Sequence, residues 1–165
     1  TSQIAQINTV TGIQQLNDTM KNMNTQMSAM QVLQAGNLVG HGVLTEGNQL
    51  AFDTTAKTAV GAIELPAKAS NVKIQVTTAG GQVIDTVSLG ELEAGQHGFT
   101  LDSSKYPADT PLQFKVIATN GSEKVDAVAL MRDKVVAVGS DASGGLTLTL
   151  LTAGKTPYAN VHAVL

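Results

Sequence analysis

Cysteine and tryptophan are both absent from this chain of 165 residues. Without a thiol there can be no disulfide framework, no thiolate nucleophile and no cysteine metal site, so packing and hydrogen bonds alone must hold the fold. That absence fits the cytosol and fits equally an exported chain that crosses no oxidising folding compartment. Aromatic residues make up 3 % of the chain, too few for the exposed rings that carbohydrate modules display or for a cage around a methylated cation. Charge is also sparse, at 14 % with a formal net charge of −3, and no Lys/Arg run occurs. The electrostatic footprint needed for phosphate backbones is therefore missing, and nucleic acid is not expected as a partner. No run of about eighteen apolar residues exists, so no membrane insertion is expected.

Catalytic signals are missing as well. There is no Gly-x-Ser-x-Gly, no phosphate-cradling glycine loop ahead of a helix and no glutamate pair in an apolar setting, so neither an enzyme nor a cofactor site is expected. His41, His97 and His162 fall in separate segments without metal-ligand spacing and read as structural or surface residues, so no metal is expected. Glu91 and Glu93 read as solvated charges in a turn, and Phe52 and Tyr158 as core or rim packing.

What the chain does have begins at its first residue. Residues 1–37 read as one long helix in which Ile13, Leu16, Met20, Met23, Met27 and Met30 alternate in steps of three and four, the spacing of a coiled-coil seam. The other positions are rich in uncharged amides, including Gln3, Asn8, Gln14, Asn22, Gln26 and Gln31, with Asp18 and Lys21 as the charges. A solvated helix would normally carry Glu and Lys pairs at i, i+4. This composition instead favours a helix packed on copies of itself or on another polymer, the alternative being a helix folded back on its own domain. Gly12 interrupts the pattern at a cost of about 1 kcal/mol and suggests a bend there. The opening Thr1, in the middle of a helical pattern, leads us to expect a preceding segment.

After Asn37 the pattern is β throughout. A hairpin is expected from Leu38–Leu44, a Gly47-Asn48 turn and Leu50–Phe52. Val60–Leu65 follows a polar stretch at 53–57. Val72, Ile74 and Val76 then alternate with Lys73, Gln75 and Thr77 before Gly80-Gly81 turns the chain into 82–89. Further strands are expected at 97–101, 112–119, 125–130, 135–138, 146–151 and 158–164. Their breaks fall at 102–111, Arg132-Asp133, 139–145 and 154–157. The reading is a mainly β protein with a long N-terminal helix: an assembly helix at 1–37, a small barrel from 38–56 plus 125–165, and a β-sandwich inserted at 57–124. No βαβ pattern follows residue 37, which argues against a nucleotide-binding α/β fold.

Particular residues resemble a known family. Residues 2–17 (SQIAQINTVTGIQQLN), Gln34-Ala35, Leu38-Val39-Gly40-His41-Gly42-Val43, Leu89-Gly90-Glu91-Leu92, Ala94-Gly95, His97 and Phe99-Thr100 are similar to the flagellar hook-capping (FlgD) family. The resemblance implies a Tudor-like barrel interrupted by a fibronectin-type-III-like sandwich. It also implies a non-enzymatic scaffold, synthesised in the cytoplasm and exported to the distal end of the growing hook outside the cell, where it promotes ordered insertion of hook subunits. The implied partners are the flagellar hook protein, the flagellar export apparatus and further copies of the chain as a homo-oligomer, with no cofactor. Where relatives carry Trp-Asp-Gly after the Phe-Thr pair, this chain has Leu101-Asp102-Ser103. A secreted adhesive or ligand-binding β module is the alternative function.

Overall fold

The computed structural model describes residues 1–107 and 109–165, so of the loop expected over 102–111, Ala108 lies outside the described residues. The protein is mainly β with one long N-terminal helix, α1 (Ser2–Ala35), and its strand pairings are antiparallel. In chain order the strands are β1 (Gly42–Glu46), β2 (Ala51–Asp53), β3 (Thr58–Leu65), β4 (Ala69–Thr78), β5 (Val83–Leu92), β6 (Gly95–Asp102), β7 (Leu112–Asn120), β8 (Glu123–Val125), β9 (Val128–Ser140), β10 (Leu146–Leu150), β11 (Gly154–Pro157) and β12 (Val161–Val164). The chain divides into two compact units, Thr1–Gly40 with Val135–Tyr158, and His41–Lys134 with Ala159–Leu165.

The larger unit is a sandwich extended at one side. One sheet runs β5-β4-β7-β8. In the other, β3 pairs with β6 along its whole length and with β2 and then β9 on its opposite edge; β9 pairs with β1, and β1 with β12. Alternation explains β4, where Val72, Ile74 and Val76 are fully buried between polar neighbours. Strand β3 is apolar almost throughout because both faces are covered. Ala59, Ile63 and Leu65 join the sandwich core, whereas Ala62 packs in a second cluster with Leu44 and Leu130.

In the sandwich core Phe99 of β6 meets Phe114 of β7 edge to face, with ring centroids 5.0 Å apart. Gly61, on the same face of β3 as Ile63, makes room for them. A Cβ there would lie 2.5 Å from Phe99 Cζ and 3.2 Å from Phe114 Cε1. Leu101 is buried in the same core. Asp102 then accepts the Ser104 N–H and hydroxyl, and these bonds, the hydroxyl's first, hold its carboxyl below the ordinary range. Tyr106 is buried and donates its hydroxyl to Asp85 Oδ2 at 2.9 Å. Burial, with this bond second, pushes the phenol up to about 12.

In the smaller unit the second half of β9 pairs with β10, and β10 with β11. Its buried side chains include Ala35, Val135, Leu148 and Leu150.

Several local expectations need correction. The turn at Gly80-Gly81 and the β4–β5 hairpin are present, but the hairpin expected over 38–52 is not. Residues 36–38 form a 3-10 turn and Gly40, at φ 90°, redirects the chain before β1 starts. β1 and β2 then pair with other strands, because the segment between them bonds elsewhere. The Leu50 N–H goes to the Leu112 carbonyl and Asn48 accepts the Phe114 N–H. Arg132-Asp133 is not a break: both residues pair with β1, opposite Leu44 and Val43, so β9 runs on to Ser140. Residues 154–157, expected as a turn, form β11, with Pro157 at its end on an edge where a missing N–H costs little. Gly90 does not end a strand; it sits in β5 at φ 75°, beside a register shift against β4. Nor does Gly12 break α1, which is helical from Ser2 to Ala35.

Two measurements check the sandwich core. Gly61→Ala should lower unfolding stability by about 1–3 kcal/mol through overpacking against Phe99, measured by urea denaturation. An unchanged midpoint would contradict the close packing of the rings. Tyr106 has a folded pKa above its ordinary value of 10.0, at about 12. Its contribution is therefore complete below pH about 10 and lost as pH climbs toward 12. The urea midpoint should fall more steeply across that window in the unaltered protein than in Tyr106→Phe; parallel curves would refute the assignment.

Candidate assembly surface

Helix α1 has 34 residues, no acidic residue in its first turn, no basic residue in its last, and no side-chain cap at Thr1. It thus lacks the terminal charge placement that would help it stand alone. Its threonines are accommodated by bonding backward: Thr9, Thr11, Thr19 and Thr25 each donate a hydroxyl to the carbonyl four residues earlier, at 2.8–3.0 Å.

The C-terminal turns of α1 engage their own unit. Ser28 donates its hydroxyl to the Gly144 carbonyl at 2.9 Å, Val32 is half-buried and Ala35 is buried. The receiving loop after β9 is tightly built. Asp141 Oδ1 accepts the Ser143 hydroxyl and the N–H groups of Ser143 and Gly145, and these bonds, led by the Ser143 hydroxyl, hold its carboxyl below the usual range. Gly144 takes φ 85° in that loop, a left-handed conformation that suits glycine and presents its carbonyl to Ser28.

The six residues of the sequence-defined stripe lie elsewhere on α1. At 3.6 residues per turn, the Ser28–Val32–Ala35 face and the centre of the Ile13–Met30 stripe are about 120° apart around the helix axis. Ile13, Leu16, Met20, Met23, Met27 and Met30 are 52–65 % exposed, so the strands of their own unit do not cover them. From Ile13 to Met30 the stripe covers 17 residue steps, or about 25 Å at 1.5 Å rise per residue. Ile4, Ile7, Val10 and Leu33 are exposed too, and sequence reasoning did not single them out because their steps of three leave the three-four alternation. Ser28, Val32 and Ala35 were also missed, although their i, i+4, i+7 spacing is that of one helix face.

The other residues noted in the sequence do not converge on a reaction centre. His41 lies 3.3 Å from the Leu165 carbonyl oxygen and His97 2.7 Å from that of Glu93. His162 lies 2.6 Å from Glu64 and 3.5 Å from Glu46. Among the described residues no group of three or more His, Asp or Glu is arranged to hold a metal, and no helix is long and apolar enough to cross a membrane. Phe52 and Tyr158, expected as core or rim packing, lie on the rim at 41 % and 45 % exposure.

Relatives give this architecture its family. The chain is 36 % identical to the basal-body rod modification protein FlgD of Escherichia coli strain K12, across 100 % of its own length and 75 % of the relative's. The chain belongs to the FlgD family. Identity to the Salmonella typhimurium FlgD is 34 % over the same shares. The FlgD Ig-like domain matches residues 47–122, which enclose β2 to β7. A crystal structure of FlgD from Xanthomonas campestris, described as giving insights into the hook capping essential for flagellar assembly, is 27 % identical. It superposes with a TM-score of 0.62 over 82 % of this chain and 99 % of that one. The Pseudomonas aeruginosa FlgD structure, 23 % identical with a TM-score of 0.62 over 78 % of this chain and 98 % of that one, shares the fold.

The α1 docking face generates its own prediction. Ser28→Ala should cost about 1 kcal/mol and so raise amide exchange in the last two turns of α1 roughly fivefold. Exchange in β10 should stay unchanged. Equal exchange in both proteins would show that the Gly144 contact does not hold the helix.

Proposed function

We propose that this chain is a non-enzymatic scaffold of flagellar hook assembly that caps the distal end of the growing hook, promotes ordered insertion of hook subunits, and works as a homo-oligomer. The observation that carries the reading is the match to FlgD along the whole chain, helix included. The exposed stripe supports the oligomer. Each side chain buried between copies would contribute on the order of 1.5–3 kcal/mol, and several together offset the freedom lost on association. Flexible thioethers at four of the six positions suit a seam that repacks while subunits enter beneath it. The scarcity of charge on α1 lets copies approach without like-charge repulsion.

The nested organisation belongs to the same proposal: a Tudor-like barrel from 38–56 plus 125–165, interrupted by a fibronectin-type-III-like sandwich at 57–124. Two observations support it. The FlgD Ig-like match ends near Ser122, and β1, from before the insert, pairs with β9 and β12 from after it. The hook protein and the export apparatus are the proposed partners.

Met20→Glu with Met27→Glu tests the seam, since it sets like charges into it while leaving the sandwich core untouched. Sedimentation should show loss of self-association, with a thermal midpoint for the β units equal to that of the unaltered protein. The full-length version should be exported without restoring hooks to cells that lack their own cap. Unchanged mass, or normal hooks with the double variant, would remove the stripe from the mechanism.

A further inference from the structure

A cleft of about 620 Å³ opens in the larger unit between the segment around β2 and the loop that precedes β7. That volume is within the range of ligand sites. Its accessible apolar lining is Phe52, 41 % exposed, with Pro107 and Pro111, over the buried Leu50, Tyr106 and Leu112. The Tyr106 hydroxyl is already committed to Asp85, so its ring offers hydrocarbon rather than a polar contact. The charged residues lining the cleft are Asp53 and Asp109 alone; no Lys, Arg or His lines it among the described residues. Asp53 uses Oδ1 to accept the Thr55 and Ala56 N–H groups, and the Asp109 carboxylate has no partner among the described residues.

Apolar walls with two carboxylates and no compensating cation disfavour an anionic metabolite or a phosphate, and they complement a side chain with a hydrocarbon stem and a cationic head. We propose that this cleft binds an extended segment of a partner protein through an arginine or lysine, its stem against the exposed Phe52 and Pro111 and its head toward Asp53 and Asp109, with an apolar neighbour filling the remaining space. The exposed face of Phe52 adds attraction for the same cation. The site lies in the sandwich-bearing unit, so it stands whether or not α1 forms a seam.

The test uses the 165-residue chain, uniformly ¹⁵N-labelled, titrated with N-acetyl-Leu-Arg-Leu-amide and, as control, N-acetyl-Leu-Glu-Leu-amide. The arginine peptide should move the amide signals of Asp53, Thr54, Ser104 and Gln113 along saturable curves that weaken with added salt. The glutamate peptide should move none of them. Asp53→Asn with Asp109→Asn should weaken the arginine peptide roughly tenfold or more. Both changes preserve the backbone: the amide oxygen introduced at position 53 still accepts from Thr55 and Ala56, and asparagine tolerates the φ of 60° found at position 109. Equal shifts with both peptides, unchanged affinity in the double variant, or no localised shift at millimolar peptide would each overturn the proposal.

Discussion

Two rings and one missing side chain set the spacing of the sandwich. Phe99 and Phe114 reach the core from opposite sheets and meet edge to face, and Gly61 supplies the clearance beneath them. In a chain with three Phe and no Trp, this pair fills the interior volume that several larger aromatics often share. The aliphatic ladder of Val72, Ile74, Val76, Ile63 and Leu65 closes around the rings, and Leu101 completes it. Strand β3 can then present Ala62 on its other face, where Leu44 and Leu130 bury it. The sheet that joins β3 to β9, β1 and β12 thus depends on a strand already fixed by the rings on its opposite side.

Polar side chains perform local work that a charge count would not reveal. Asp53 and Asp141 each gather two N–H groups from the residues just after them, and Asp102 gathers the Ser104 N–H and hydroxyl, which tightens three turns without any long-range ion pair. Exposed pairs such as Lys68 with Glu91 add little by comparison, being screened by solvent. These turns matter to the surfaces above them. The Asp141 turn presents the Gly144 carbonyl to Ser28, and the Asp53 turn forms one wall of the acidic cleft.

Helix α1 has two distinct apolar faces. A narrow face of Ser28, Val32 and Ala35 is spent on its own unit, and a longer apolar face is left in solvent. A helix whose only apolar stripe was turned inward would have no surface to offer another copy. The offset of about a third of a turn between the faces is what leaves the longer stripe uncovered while α1 is anchored.

Much of this was legible in the residues. The long helix, its stripe from Ile13 to Met30, the alternating strand at 72–76 and the turn at Gly80-Gly81 follow from spacing and turn chemistry, which act over a few residues and need no partner. The family, too, could be recognised from short blocks such as residues 2–17. What only the tertiary structure decided involves groups distant in sequence. The face that α1 turns toward its own unit is marked by Ser28 donating to Gly144, more than a hundred residues away. The charged Arg132-Asp133 pair reads as a break until β1 is laid beside it, and residues 154–157 read as a turn until β10 pairs with them. The acidic cleft has no signature in the sequence, because Asp53 and Asp109 become neighbours of one space only after the segment at 48–50 bonds to the start of β7. Local periodicity encodes which surface each element offers, and the long-range hydrogen bonds determine which of those surfaces remain available.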